Sequence, residues 1–361
     1  MLTLAAGPAG SGASTGRIVA PTAESPARVD PGAALSAIVR LRLPLTPPPG
    51  VQQTRAWEGW TIRLSRRVAV AIDGAPTSVD FPARLVRIRP DEGDRYSVTA
   101  EAPAWIPPGL YDLAIEGPGF EGLAAESVAV SGARGFGEGD PDEWRQRDDG
   151  RIDLVRLGGG QGEAVLEVAA PASGPGLRAV ASAAGEPARR PLELIGATWT
   201  TAPGPEGRGD ARLLRFRLAP PVVKPGDEAA VSVALERVEA TGCRPGIEWI
   251  VDAEQVGPTE WRELAFVGVE DPVSVVWDFG DGDSGIGRRV RHRWIFTDDA
   301  RVSATGFDRV GIACTATTTA DGVLTPRRGC GCSAVGGGAR RARGRAGTLL
   351  GFFLSVALAR E

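Results

Sequence analysis

The stretch Val275-Val276-Trp277-Asp278-Phe279-Gly280-Asp281-Gly282-Asp283 constrains the fold more than any other part of the chain. Read with period two, Val275, Trp277 and Phe279 share one face of a strand and Val276 and Asp278 the other, so the aromatic face is core and the second face is wet. Asp281-Gly282 then supplies the positive backbone angles of a tight hairpin turn, because glycine has no Cβ to clash there. On the returning strand Arg289, Arg291 and Arg293 point one way and Val290, His292 and Trp294 the other. A histidine on the apolar face is expected to bond a neighbouring backbone or carboxylate group, not to act as a catalyst.

The words W-D-F-G-D-G (Trp277, Asp278, Phe279, Gly280, Asp281, Gly282) and H-x-aromatic (His292, Trp294), in that order, resemble the PKD (polycystic kidney disease) domain. The resemblance implies an immunoglobulin-like β-sandwich of extracellular and cell-surface proteins, expected over residues 211–326, in which these eight residues are structural. Gly246 to Asp271 departs from the family pattern and reads as an inserted hairpin. Cys243 and Cys314 both fall in this region. They are candidates for a disulfide closing a loop of about 70 residues in an oxidising compartment, two buried thiols being the alternative.

The rest of the chain also reads as short strands between turns, an all-β pattern of two or three immunoglobulin-like sandwiches in tandem followed by a short apolar tail. With 49 Gly and 29 Pro the chain falls short of a disordered composition. Residues 17–132 are expected to form a first sandwich from Leu35–Leu43, Trp60–Ile72, Val79–Ile88 and Tyr96–Ala102. Pro107-Pro108-Gly109-Leu110-Tyr111-Asp112-Leu113 resembles the start of a late strand in such folds, where Tyr111 either anchors a corner through its hydroxyl or is an ordinary strand residue. Residues 133–150 read as a linker and 151–210 as a second β-rich block with strands at Ile152–Leu157, Glu163–Ala169 and Leu192–Trp199. Leu213–Leu218, Ala229–Leu235, Glu248–Val251, Trp261–Val269 and Val310–Thr317 complete the set. The run Gly158–Gly162 lacks the Lys-Ser/Thr of a phosphate loop and precedes a strand pattern, so a turn is expected.

The ends suggest an address. Residues 1–16 lack Arg and Lys before Arg17-Ile18 and carry only a short apolar run, Leu2 to Ala6, so they read as disordered. Either the protein is cytosolic or its true signal peptide lies upstream of Met1. The tail, 327–361, favours the second. Its Gly329-Cys330-Gly331-Cys332, basic cluster and apolar Thr348 to Ala359 resemble MYXO-CTERM, a sorting tail of secreted proteins in myxobacteria and relatives, and imply export and membrane attachment. The apolar run is shorter than the roughly 20 residues a span needs.

Composition excludes more chemistry than it suggests. The chain carries a net charge of −4, and the Arg-rich tail leaves the remainder more acidic still, which argues against nucleic acid as partner. Gly282-Asp283-Ser284-Gly285 spells the G-D-S-G of trypsin-like proteases, but the single histidine, His292, follows Ser284, whereas that family places its base well upstream. Asp278, Asp281 and Asp283 form either a weak Ca²⁺ site or a set of turn-forming aspartates, the latter being favoured because Arg289 occupies the position of an EF-hand's terminal Glu. The Arg row could meet an anionic polysaccharide, but ion pairing with acids on the adjacent strand is the expected arrangement. The first half also resembles the accessory β-domains of secreted bacterial metallophosphoesterases, whose two-metal centre needs several His and an Asn. One His and no Asn cannot build it. The expectation is therefore a non-enzymatic, exported, cell-surface protein without a cofactor, serving adhesion, spacing or ligand presentation, with a surface protein or polysaccharide as partner. The alternative is a non-catalytic accessory protein binding a phosphoesterase's substrate or the enzyme itself.

Overall fold

The computed structural model describes residues 16–41, 59–68, 70–71, 77–117, 120–131, 142–156, 164–183, 189–204, 207–218, 231–239, 243–250, 261–294 and 300–319. The N-terminal residues 1–15, the run Gly158–Gly162 and the tail with Cys330 and Cys332 lie outside them. Every regular element among the described residues is a strand, and none is a helix able to cross a membrane.

The first nine strands are β1 (Gly16–Ala20), β2 (Ala27–Val29), β3 (Ala34–Leu41), β4 (Thr61–Val68), β5 (Val70–Ala71), β6 (Thr77–Pro90), β7 (Arg95–Glu101), β8 (Gly109–Gly117) and β9 (Phe120–Val130), and all but β5 surround the first core. Period-two alternation sends Leu35, Ala37, Val39 and Leu41 of β3 inward, facing Ile62 and Leu64 of β4 within one cluster. The 14-residue β6 serves two sheets. Its first half pairs with β4, its second with β7, and the register shifts between Leu85 and Arg87 where the strand turns the corner. Tyr111 packs edge-on against Phe81 at 5.8 Å, and its hydroxyl donates to the Pro107 carbonyl at 2.6 Å.

The second core lies between two further layers built from β10 (Glu143–Gln146), β11 (Ile152–Arg156), β12 (Ala164–Pro171), β13 (Gly176–Ala183), β14 (Arg190–Pro191), β15 (Glu193–Gly204), β16 (Gly207–Leu218) and β17 (Val231–Val238). One layer runs β15-β16-β12, the other β10-β11-β17-β13-β14. Two expected boundaries fall differently. The division at residue 210 lies inside β16, which is antiparallel to β12 and β15 along its length, and β17 pairs with β11 and β13, so the chain to Val238 belongs with the second layer pair. Part of the expected linker is β10, fastened by Trp144 Nε1 donating to the Val165 carbonyl at 2.9 Å. The first and second layers are also continuous: β6 meets β15 at Asp80 and Thr201, and β5 runs parallel to β12, making one twelve-stranded sheet.

That continuity buries β12 and β16 on both sides. Leu166, Val168, Leu214 and Phe216 face the second core; Ala169 and Leu213 face the first. On the first-core side sits a charged trio. Glu167 of β12 accepts from Arg66 of β4 and pairs with Arg215 of β16 at 3.0 Å, all three being buried. Arg66 also donates to the Pro108 carbonyl at 2.8 Å, and its guanidinium lies 4.9 Å from the Tyr111 ring centroid.

The third core lies between β18 (Gly246–Ile250), β19 (Arg262–Val267) and β22 (Arg289–His292) on one side and β20 (Ser274–Asp278), β21 (Ser284–Ile286), β23 (Arg301–Phe307) and β24 (Ala313–Thr319) on the other. The expected hairpin is shorter than the sequence suggests. β20 turns back into the three-residue β21, and the Arg-bearing segment crosses to the opposite sheet, where β22 pairs with β19. Val276, expected on a wet face, is buried and joins the second core together with Phe307. The fastening continues through Arg212, which is fully buried and donates to the carbonyls of Gly311 (2.6 Å), Pro171 (2.9 Å) and Pro175 (3.0 Å). Ser274 bonds the Ala197 backbone, and Trp199 Nε1 donates to Thr305 at 3.0 Å. Cys243 and Cys314 form the disulfide, with their Cα atoms 6.1 Å apart, joining the lead-in to β18 to β24 of the facing sheet.

Two stability measurements check this account. Glu167→Ala removes the carboxylate that pairs with two buried guanidinium groups and is expected to cost about 3–5 kcal/mol in denaturant unfolding, whereas the triple change Arg66→Met, Glu167→Leu and Arg215→Leu is expected to cost much less. A triple variant as unstable as the single one would show that packing, not charge, is at stake. Reducing the disulfide releases a loop of 71-residue separation and is expected to lower stability by about 4 kcal/mol; an unchanged midpoint would contradict this.

Candidate functional site

The residues that the PKD resemblance singles out converge at the end of the third core. The chain reverses after Phe279, whose amide donates to the Asp283 carbonyl at 3.1 Å. Gly280 has φ of 76°, and a Cβ there would lie 2.5 Å from the Arg301 carbonyl oxygen; Gly282 has φ of 93°. Asp278 Oδ1 accepts from the Gly280 amide at 2.9 Å and Asp281 Oδ1 from the Asp283 amide at 3.1 Å, side-chain turns that fix the loop. Beneath it the rings stack. His292 lies 3.9 Å from Phe279 at an interplanar angle of 3°, with Trp294 edge-on at 4.5 Å. Both indoles are satisfied: Trp277 donates to the Gly287 carbonyl at 2.8 Å and Trp294 to the Phe279 carbonyl at 3.0 Å. Burying an aromatic such as Phe279 contributes roughly 1.5–3 kcal/mol, so the stack anchors the turn as well as the core.

His292 Nε2 donates to Asp281 Oδ2 at 2.7 Å. Burial works to raise the Asp281 carboxyl, but the His292 bond, the Asp283 amide and the His292 charge together hold it below the ordinary carboxylate range. The fold does not bring the three aspartates to one point as the Ca²⁺ reading requires. Asp278 turns to the Gly280 amide, and the group whose ligand atoms lie within 4.8 Å of one another is Asp281, Asp283 and His292. Asp283 is in turn paired with Arg84 of β6 at 2.7 Å, and Arg84 also pairs with Glu101. What this arrangement does is fasten the turn to the first core. Ser284, from the G-D-S-G word, accepts from the Ala104 amide at 2.8 Å in the same junction. At Tyr111 burial pushes the hydroxyl well above its usual pKa, so it remains a protonated donor to Pro107.

The outward face of the β18-β19-β22 sheet is built differently. Arg289, Arg291 and Arg293 are exposed while Val290, His292 and Trp294 are buried, as the alternation requires. The expected ion pairs are missing: none of the three Arg makes an ion pair with a described residue, although Glu263 stands opposite Arg291 in the ladder. Beside the row stands Trp261, 60% exposed, flanking the registered pair Arg262 and His292 together with Arg293. The sequence reading missed this indole. Its signal was the phase of β19: Leu264 and Phe266 turn inward, which turns Trp261 and Glu263 outward. A groove of about 660 Å³ between Leu194, Arg217, Val273 and Arg309 is bounded by self-paired charges, Arg217 with Glu193 at 2.6 Å and Arg309 with Asp271 at 3.1 Å.

No family model matches the chain, and no curated protein matches it. Among solved structures the chain is similar to the native conformation of E. coli alpha-2-macroglobulin determined by cryo-EM, at 12% identity over 86% of this chain and 22% of that one. The chain thus spans 22% of the length of that protein, and a TM-score of 0.17 carries no argument.

The lowered Asp281 carboxyl sets a pH dependence. Its contribution to stability is complete above the ordinary Asp value of about 4 and is lost as pH falls through the lower folded value. Asp281→Asn is therefore expected to be less stable than the parent at neutral pH and to show a shallower loss of stability below about pH 4, measured by urea unfolding across that range. Parallel curves would remove the His292 pairing as the cause.

Proposed function

We propose that this chain is a non-catalytic, exported cell-surface protein in which three immunoglobulin-like sandwiches, the last PKD-like, hold a fixed spacing and present an exposed face to a ligand. The sandwiches correspond to residues 16–131, 142–239 and 243–319. Attachment through the C-terminal tail belongs to the same reading.

The observation that carries it furthest is the Cys243–Cys314 disulfide, since such bonds persist in oxidising compartments and are rare in the cytosol. The contacts between cores support the spacing role. Arg212, Ser274, Trp199, Arg84 and Ser284 reach across to main-chain and side-chain partners, so the units are keyed together, unlike beads on a flexible linker. The polar groups of the turn are spent on holding the loop, the role the resemblance gives them.

Two measurements test the reading. Antibody raised against the folded region is expected to label intact cells of the source organism, and protease added outside is expected to remove the label; a chain found only in the cytosol overturns export. Purified protein with added Mn²⁺ or Zn²⁺ is expected to leave phosphoesters intact, and turnover that tracks the protein through purification overturns the non-catalytic reading.

A further inference from the structure

We infer that the outward face of the β18-β19-β22 sheet binds an acidic polysaccharide, Arg289, Arg291 and Arg293 taking its carboxylates and Trp261 stacking on a sugar ring beside them. The inference rests on the proposed surface role and adds to it the ligand's chemical class and its place on the fold.

Three observations point there. The three guanidinium groups are exposed, lie on one face and make no ion pair with a described residue. Alternate strand residues are about 6.8 Å apart, so the row sets three planar, bidentate carboxylate receptors along one line. Among the described residues the acids on this face are Glu263, opposite Arg291, and Glu248, a strand further away, so the described positive charge is concentrated along β22 and Arg293 with Arg288 at its head.

Trp261 decides what kind of polyanion fits. An exposed indole beside a cationic row offers a flat apolar platform for the CH-bearing face of a sugar, next to groups that take the same sugar's carboxylate. Size argues against an acidic protein partner. Three strands of this length give a face of roughly 20 by 10 Å, far less than the roughly 800 Å² each side of a stable protein interface buries, yet long enough for a single extended chain lying along the row. The acidic charge of the whole molecule disfavours a nucleic acid, whose phosphate density requires a wide basic surface. Charges on an outermost strand also discourage edge pairing, so the test must keep the edge polar.

The experiment is native affinity electrophoresis of the full chain in gels containing polygalacturonate, neutral dextran, polyglutamate or a single-stranded oligodeoxynucleotide. Polygalacturonate is expected to retard the protein, less so as salt rises, and dextran is not. The triple variant Arg289→Gln, Arg291→Gln, Arg293→Gln is expected to bind about tenfold more weakly, since exposed pairs each contribute little and their effects multiply. Arg291→Glu, which keeps the edge charged if the triple variant precipitates, and Trp261→Ala are each expected to weaken retardation severalfold, with thermal unfolding unchanged. Absence of retardation, retention unaffected by these substitutions, or stronger retention by polyglutamate or the oligonucleotide overturns the inference. A surface-located chain that ignores polygalacturonate loses this ligand alone; a cytosolic chain loses the functional reading first.

Discussion

Glu167 between Arg66 and Arg215 is the contact on which the joint between the first two cores turns. The three residues come from β4, β12 and β16, and they meet only because β12 and β16 are covered on both faces. Ions taken out of water are tolerable when each finds an opposite charge and further hydrogen bonds. Here Arg66 adds the Pro108 carbonyl and the Tyr111 ring, and Tyr111 adds Pro107, so the charge is tied into the corner of the first sandwich. An apolar joint would tolerate sliding; a charged one has a single register.

A second buried cation repeats the logic at the next joint. Arg212 spends its guanidinium on three carbonyls from two segments of the second unit and one turn of the third. Burial lowers its affinity for the proton while nearby Asp308 works the other way. Val276 and Phe307 add apolar area across the same joint, and Phe307 meets Trp199 at 5.4 Å. The third unit is thus packed into the second on one side and leaves its opposite sheet, with the Arg row and Trp261, facing water.

Much of the strand pattern was legible. Period-two alternation located β3, β4, β6, β7, β11, β12, β17, β18, β19 and β24 to within a few residues, and about half of the longer β15 and β16, because each has one apolar phase that burial must satisfy. β1, β2, β9, β10 and β14 were passed over, and so were β13 and β23. The sequences of the last two, GLRAVASA and RVSATGF, fill core positions with Ala, Ser and Gly, and small residues give little contrast between faces. Positive φ was expected at Asp281-Gly282; the structure has it at Gly282 (93°) and at Gly280 (76°) and not at Asp281, because glycine takes those angles without a Cβ clash. The destination of the returning strand was not legible, since alternation is the same whichever neighbour β22 pairs with.

The sequence by itself determined the strand content, the inward aromatics of the third core and the two cysteines available to each other, because these follow from residue type and spacing. Only the tertiary structure decided which strands share a sheet, that Val276 has no wet face, and that Glu167, in an otherwise apolar run, is held between two arginines. The physical reason is that pairing and two-sided burial depend on partners more than a hundred residues away, as Arg66 and Glu167 are, and a strand's own pattern carries no record of which neighbour covers it.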